Sequence, residues 1–134
     1  MNQRDQLLFV LASADMGVTT DQTFTKLMVG TNYVITGVIF RRTSGAFNTA
    51  CAGGIYTSAA KGGTALVAAA QSYANLTGAN KLVLVNTVTN SANFAAANTT
   101  DAQTATPILS LTTANTGGAG TLVATVGIYG FVVD

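Results

Sequence analysis

The clearest strand pattern in this chain is YVITGVIFRR, which runs from Tyr33 to Arg42. Its β-branched and aromatic residues favour extended backbone. Apolar residues occupy both alternating sets of positions, which is typical of a strand buried on both faces at the centre of a sheet. Gly37 indicates a bend, or another backbone that passes close by. The segment therefore predicts a central β-strand that ends at Ser44-Gly45.

The remainder of the 134-residue chain repeats this alternation of apolar runs and turns. Thr occurs 22 times and Val 13 times, and turn residues interrupt the apolar runs about every ten residues. The further predicted strands are Gln6–Ala12, Thr23–Val29, Cys51–Ser58, Thr64–Tyr73, Lys81–Thr89, Pro107–Thr113 and Thr121–Val133. About seven or eight strands at this length predict one all-β domain over residues 1–134, a single antiparallel β-sandwich that is jelly-roll-like.

Two glycine-rich segments are typical of hairpin turns. Ala59 to Gly63 separates two predicted strands, and Asn115 to Gly120 separates the last two, so both predict hairpins. The alanines of Ala65 to Ala70 also favour a helical turn. The hairpin spacing and Gly62-Gly63 favour a strand there instead.

One long loop is predicted from Asn90 to Thr106, where small polar residues replace the strand pattern. Loops of this length are uncommon in compact domains and are usually functional or disordered. Phe94 is the large apolar residue of this loop. Two alternatives remain for the surface that buries Phe94: a neighbouring subunit or carrier surface, or the chain's own sandwich.

Charge is scarce in this chain. Charged residues make up 8% of it, the formal net charge is +1, and Asp101 is the one charge between Leu82 and Val133. Because charge keeps a small free domain soluble and protects its strand edges, we expect much of the surface to be buried against copies of the chain or a partner. The adjacent cations Arg41 and Arg42 predict a solvated rim or an interface salt bridge. We expect neither nucleic acid nor a membrane as partner, because the sequence has no basic stripe and no apolar run of about 20 residues.

The composition argues against catalysis. The chain has no His, Trp or Glu and a single cysteine, Cys51. That thiol therefore has neither a base to activate it nor a second His or Cys with which to bind a metal. Asp15 and Asp21 lie beside predicted turns, where Asp commonly bonds the backbone; an ion site that includes them or Asp101 is the alternative. We expect no enzymatic activity, no cofactor and no metal.

The N-terminal apolar run, Leu7 to Ala12, has six residues. A secretory signal needs roughly 7–15, so this run is interpreted as the first strand. The absence of a second cysteine agrees with folding in a reducing compartment.

Three parts of the sequence resemble small virion structural proteins of tailed bacteriophages. The resemblance covers roughly Tyr33 to Tyr129. Its longest part is AGGIYTSAAKGGTALVAA (Ala52–Ala69), which continues through Gln71, Tyr73, Leu76 and Lys81. The other two parts are DAQTA (Asp101–Ala105) and LSLTT (Leu109–Thr113). The resemblance implies a capsid decoration or cement protein on the outer surface of the head, located in the virion and assembled in the host cytoplasm. It brings no catalytic or cofactor residues.

The expected partners are further copies of the chain and the major capsid protein of the same particle. Trimers are favoured because they fit the local three-fold positions of an icosahedral lattice. The candidate interface residues are Met1, Asn2, Gln3, Arg4, Asp5, Arg41, Arg42, Phe94 and Asp101. The alternatives are a phage tail, fibre-base or receptor-binding module, a non-viral adhesin or surface-layer domain, and a small jelly-roll coat subunit.

Overall fold

The computed structural model describes residues 5–77, 82–85, 103–117 and 121–133, and these ranges contain β-strands and no helix. The strands are β1 (Gln6–Asp15), β2 (Gln22–Thr23), β3 (Thr25–Lys26), β4 (Tyr33–Ser44), β5 (Ala52–Ser58), β6 (Gly62–Val67), β7 (Leu82–Val85), β8 (Ile108–Thr113) and β9 (Val123–Val132). The prediction of an all-β chain is confirmed.

The strands form two antiparallel sheets, a five-stranded one in the order β3-β1-β9-β4-β7 and a four-stranded one in the order β2-β8-β5-β6. Four of the pairings are nested, with strands from the two ends of the chain in the outermost pair and neighbouring strands in the innermost. β1 pairs with β9, β2 with β8, β4 with β7, and β5 with β6. A chain that pairs in this way is one long hairpin rolled into two sheets, which is the jelly-roll arrangement. The short β3 adds an extra edge beside β1. The jelly-roll-like β-sandwich predicted from the sequence is therefore confirmed.

The hydrophobic core lies between the two sheets and forms one cluster. Alternate residues of β4 and β9 point into it, as the two-residue period of a strand requires. Two ring contacts lie in this core, with centroids 4.9 Å apart for Phe9 and Tyr33 and 4.3 Å apart for Phe40 and Tyr73. The sheets contribute chiefly Phe9, Ile35, Val38, Phe40, Val126 and Ile128 from one side and Ile55, Leu66, Val67, Leu109 and Leu111 from the other.

The two fully buried tyrosines keep their hydroxyl groups paired. Tyr33 donates to the carbonyl of Ala105 at 2.5 Å, and Tyr73 donates to the carbonyl of Gly53 at 2.8 Å. Burial raises the pKa of both phenols above the ordinary value. Because each hydroxyl has an acceptor, the rings contribute their apolar area to the core without an unpaired donor.

The predicted central strand is confirmed, because β4 lies between β9 and β7. The register of β4 against β9 shifts between Ile35 and Gly37, which is the bend expected at that glycine. Apart from Gly37 and its two chain neighbours, no residue has an atom within 4 Å of the place where a Cβ of Gly37 would be, so the alternative reason for a glycine, a close backbone, does not apply.

The first predicted hairpin is confirmed, and its turn differs from the expected one. β5 pairs with β6, and the amide of Gly62 donates to the carbonyl of Ala59 at 3.0 Å. The two central residues of this turn are Ala60 and Lys61, with φ of 55° and 60°. Two positive φ values make a type I′ turn, whose twist matches that of the flanking strands.

The second predicted hairpin is wrong. β8 belongs to the four-stranded sheet and β9 to the five-stranded one, so the connection between Thr113 and Val123 crosses from one sheet to the other. Leu122 is fully buried at the end of this crossing. Glycine-rich connections look alike in sequence whether the next strand pairs in the same sheet or in the other. The burial of Leu122 comes from packing between the sheets, which the local pattern does not contain.

Another predicted strand, Thr23 to Val29, divides into two short ones. β2 joins the four-stranded sheet and β3 joins the five-stranded one, while Phe24 between them is buried. The chain therefore changes sheet at Phe24. Of the predicted long loop, residues 90–102 lie outside the described ranges. Gln103 pairs with Tyr33 through both backbone hydrogen bonds.

A buried polar side chain holds the crossing connection to the loop that follows β4. The Oδ1 of Asn115 accepts from the amides of Asn48 and Thr49, at 2.9 and 3.0 Å, and its Nδ2 donates to the carbonyl of Ala46 at 3.1 Å. Gly45 stands in the same region with a φ of +86°, and a Cβ there would lie 1.7 Å from the carbonyl oxygen of Thr121. The two connections are therefore in close backbone contact at one end of the sandwich.

Candidate functional site

The outer face of the five-stranded sheet, which points away from the four-stranded one, is mainly apolar. Six of its apolar side chains are half-buried in the described ranges, and Arg41 and Thr125 also lie on it. The six apolar side chains are Leu7, Val10, Val34, Ile39, Tyr129 and Phe131. A sheet face in contact with water normally carries polar side chains that alternate with the buried ones.

The strand register places these residues on one surface. Leu7 and Gly37 both lie opposite Tyr129, and Val34 lies opposite Phe131. Residues directly opposite each other in an antiparallel pair point to the same side of the sheet. The outer face is therefore continuous over β1, β9 and β4.

A depression of about 340 Å³ lies in this outer face. Gly127 contributes to its lining without a side chain, and a Cβ there would lie 3.0 Å from Cε2 of Tyr129 and 3.1 Å from Cδ1 of Leu7. Glycine at position 127 therefore lets the side chains of Tyr129 and Leu7 lie directly over the backbone of β9. The lining residues are Leu7, Val10, Ile39, Arg41, Thr125, Gly127 and Tyr129.

The polar groups of the depression are few. The hydroxyl of Thr125 donates to the carbonyl of Ala12 at 3.0 Å, so it already has a partner within the sheet. Arg41 is exposed and is the charged residue of the lining. Such a surface offers apolar contact area with one cation at its margin, which suits the burial of another apolar surface.

A second apolar feature lies at the edge of the same sheet. The residues that follow β3 include Leu27 and Val29, whose exposed fractions are 48% and 92%. We call the segment Leu27 to Val29 the loop tip. The amides of Leu27 and Met28 both donate to the carbonyl of Leu8, at 2.9 and 3.1 Å, and Met28 is buried between the two exposed residues. The loop tip is therefore anchored to β1 at its base.

Of the nine predicted interface residues, three lie in the described ranges: Asp5, Arg41 and Arg42. Asp5 is exposed just before β1. Arg41 lines the depression, whereas Arg42, its neighbour on β4, is half-buried and donates to the carbonyl of Gly45. Adjacent strand residues point to opposite faces, so the two arginines serve different surfaces. The remaining candidates, Met1, Asn2, Gln3, Arg4, Phe94 and Asp101, lie outside the described residues.

Two candidate carboxylates hold turns. Asp15 accepts through Oδ1 from the amide of Gly17, and Asp21 accepts through Oδ2 from the amide of Ala60, both at 2.8 Å. The hydrogen bond from Ala60 is the main reason that the pKa of Asp21 lies below its ordinary value. Over the described ranges, no group of three or more His, Cys, Asp or Glu side chains comes together where a metal ion could bind.

The thiol of Cys51 is buried, with an exposed fraction of 1%. Burial raises its pKa to about 11. A thiol that stays protonated at neutral pH is a poor nucleophile.

The outer face was not among the predicted sites, although its signal is present in the sequence. The segment from Tyr33 to Arg42 is apolar at both alternating sets of positions, and so is the segment from Val123 to Val132. The first segment predicts burial on both faces at the centre of a sheet. In a two-layer sandwich, however, one face of each sheet points away from the core, so apolar residues on both faces also indicate an interaction surface.

Comparison with known proteins adds no relative. The chain matches no protein-family model, and neither a curated protein nor a solved structure is similar to it. In the part of the chain that the structure describes, no helix has the length and apolar character needed to cross a membrane.

Proposed function

We propose that this chain is a structural protein of bacteriophage particles, a decoration or cement protein that binds the outer surface of the head and stabilises the shell. The observation that carries the proposal is the apolar outer face of the five-stranded sheet in a chain with 8% charged residues. A solvent-facing sheet surface with mainly apolar, half-buried side chains is typical of a subunit that buries this surface in an assembly. The resemblance of Ala52–Ala69 to small virion proteins and the jelly-roll strand order support the same conclusion.

The mechanism is thermodynamic and needs no catalytic group. A protein that binds the assembled shell and not its dissociated subunits stabilises the shell by mass action. Each bound copy adds contact area between neighbouring capsomers. We propose a homotrimer as the bound form, with the major capsid protein as partner, because a trimer matches the local three-fold positions of the shell.

Quantitative mass spectrometry of purified particles tests this proposal. The amount of the chain is measured relative to the major shell protein of the same particle. A ratio of about one third to one, as expected for occupancy of three-fold positions over the lattice, supports the decoration role. A few copies per particle would assign the chain to a tail, fibre-base or receptor-binding module instead. Its absence from particles would overturn the proposal.

The strand order favours one second candidate, the coat subunit itself. Jelly rolls with two four-stranded sheets occur in viral capsid domains, and the eight strands other than β3 follow that order here. The same measurement separates the two roles. A coat subunit would be the most abundant protein of the particle, with no larger shell protein beside it.

A further inference from the structure

We propose that the turn of the β5–β6 hairpin, Ala59 to Gly62, is a strap across the solvent side of the four-stranded sheet, and that the carboxylate of Asp21 is the latch that holds it closed. Protonation of this carboxylate in acid releases the strap. The inference goes beyond the proposed function and does not rest on it, because it concerns the conformation of a single chain.

The latch joins two parts of the sheet that are not neighbours. Asp21 precedes β2 at one edge of the sheet, and the strap connects β5 with β6 at the other, while β8 lies between β2 and β5. The Oδ2 of Asp21 nevertheless accepts from the amide of Ala60 at 2.8 Å. This hydrogen bond therefore spans β8.

The strand register shows that the strap folds back to make this contact. Thr23 and Tyr56 both lie opposite Ile108 of β8. Because β2 and β5 both run antiparallel to β8, Asp21 lies two residues from this row in one direction, and Ala60 lies four residues from it in the other. In a flat sheet, this difference along the strands corresponds to about 20 Å. A bonding distance of 2.8 Å therefore requires the strap to turn back over the sheet.

The strap accounts for the burial of side chains that point away from the core. Ile55 and Leu109 belong to the core, so their neighbours Tyr56 and Ser110 point to the solvent side of the sheet. Both are nevertheless buried, with exposed fractions of 5% and 1%. The ring of Tyr56 lies over Gly54, where a Cβ would be 2.9 Å from the phenol oxygen. These side chains are therefore covered on the side that the strap crosses.

The strap has a backbone conformation that its own residues disfavour. Ala60 and Lys61 have φ of 55° and 60°, whereas Asn, Asp and Gly are preferred at the two central positions of such a turn. Left-handed backbone is costly for a residue that carries a Cβ. The closed strap therefore depends on a contact from outside the hairpin, and opening it relieves backbone strain.

The negative charge of Asp21 strengthens the latch. The hydrogen bond from Ala60, the nearby hydroxyl of Ser110 and the ammonium group of Lys61 favour the ionised carboxylate, in that order, and hold its pKa below the ordinary value of 3.8. Ser110 has no direct hydrogen-bond partner among the described residues. A second titratable group beneath the strap, Tyr56, is neutral in acid, because burial raises its pKa above the ordinary value.

The direction of the pH dependence follows from the lowered pKa of Asp21. Above its ordinary value of 3.8, the carboxylate is ionised whether the strap is closed or open, so the whole contribution to closure is present. As the pH falls below this value, the open form takes up a proton more readily than the closed form. Acid therefore favours the open strap.

Limited digestion with trypsin at pH 8 tests the latch, because cleavage after Lys61 requires the tight turn to open. We expect this cleavage to be about fivefold faster or more in Asp21→Ala than in the wild type, since a hydrogen bond to a charged acceptor is lost. Asp15→Ala is the matched control, because Asp15 also accepts from a turn amide at 2.8 Å, and it should leave the rate unchanged. Cleavage after Arg42 in β4 reports unfolding of the whole chain and should stay slow.

Amide hydrogen exchange measured by NMR tests the role of the charge. The protection of the Ala60 amide, relative to an unfolded peptide at the same pH, should fall about fivefold or more between pH 5 and pH 2.5 in the wild type. The same fall is expected in Asp15→Ala. In Asp21→Asn, which keeps an acceptor oxygen without the charge, protection should be below that of the wild type at pH 5 and should not change with pH.

Three results would overturn this inference: cleavage after Lys61 that is no faster in Asp21→Ala, cleavage after Lys61 and Arg42 that rises equally, or protection of Ala60 that is the same at pH 5 and pH 2.5 in the wild type. Circular dichroism of each variant verifies that it is folded, and Asp21→Asn replaces Asp21→Ala in the digestion if the latter is not. The proposed function fails by a different measurement, the copy number in particles.

Discussion

Asn115 connects three backbone groups that no strand pairing satisfies. Its side chain pairs with two amides and one carbonyl of the loop after β4, and it is 95% buried, with an exposed fraction of 5%. Asn can do this because its amide carries both an acceptor oxygen and a donor nitrogen. The side chain of Asn115 therefore supplies this loop with hydrogen bonds of the kind that a neighbouring strand supplies in a sheet.

Replacing this amide should destabilise the protein. In Asn115→Ala, the amides of Asn48 and Thr49 and the carbonyl of Ala46 lose their partners. Each unpaired buried group costs about 1–3 kcal/mol. Because part of the loop is exposed, we expect a total loss of about 2–4 kcal/mol in the free energy of unfolding, measured by urea denaturation.

Asn48→Ala is the control for this prediction, since it makes the same chemical change at an exposed side chain of the same loop. It should alter the free energy of unfolding by less than about 0.5 kcal/mol. Equal effects of the two substitutions would show that the hydrogen bonds of Asn115 are not what holds the loop.

The buried thiol of Cys51 predicts a loss of stability in alkaline solution. Its pKa is raised from 9.0 to about 11 in the folded chain. Above pH 9 the unfolded thiol therefore ionises while the folded thiol keeps its proton. The unfolded state then binds fewer protons, so the free energy of unfolding falls as the pH rises. Below pH 9 this contribution is fully present.

The change is measured by urea denaturation at fixed protein concentration between pH 8 and pH 11. We expect the wild type to lose about 2 kcal/mol more than Cys51→Ala over this range. Tyr33 and Tyr73 act in the same direction in both proteins, because burial raises the pKa of each. Parallel pH profiles for the two proteins would show that the thiol ionises equally in both states.

At the scale of elements, the pairing of β9 with β4 depends on one glycine. A Cβ at Gly130 would lie 1.9 Å from the carbonyl oxygen of Val34, so the strands would have to separate there. We expect Gly130→Ala to destabilise the protein by at least 2 kcal/mol, in the upper part of the range for overpacking. The fall in the thermal midpoint should be about 8 °C or more at this chain length.

Gly37 is the matched control for Gly130, because it lies on the partner strand with no atom within 4 Å of its missing Cβ. Gly37→Ala should leave the midpoint within about 2 °C, or raise it slightly because the unfolded chain loses freedom. A Gly130→Ala protein as stable as Gly37→Ala would contradict the close approach of the two strands.

The hairpin of β5 and β6 shows which part of an element the sequence can predict. Gly62-Gly63 marked the hairpin correctly, but the residues with left-handed backbone at its centre are Ala60 and Lys61. Asp21, which lies 39 residues away along the chain, accepts from the amide of Ala60. That contact helps to hold a backbone conformation that alanine rarely adopts. A local pattern contains no information about it.

At the scale of the whole molecule, one core cluster includes residues from both sheets and from the connections. A single core predicts a single cooperative unfolding transition. The far-UV circular dichroism and the reactivity of Cys51 with a thiol reagent should therefore change at the same denaturant concentration, because the thiol is 1% exposed in the folded chain. A thiol that reacts well before the loss of the strand signal would reveal local opening around β5.

The sequence by itself determined the class of the fold and the place of its central strand. Alternating apolar residues, β-branched composition and regular turns are local properties, and they were sufficient to predict the sandwich and β4. The composition also predicted that Cys51 is neither a nucleophile nor a metal ligand, since the chain has no His and no second Cys.

Only the tertiary structure decided which sheet each strand joins and which apolar residues point outward. Leu122 and Phe24 mark places where the chain changes sheet, and their burial comes from contacts between layers. Ile39 and Phe40 are both apolar neighbours on one strand, yet the first lines the outer depression and the second packs in the core. Periodicity divides a strand into two faces, but only the packing of the second sheet determines which of them the core covers.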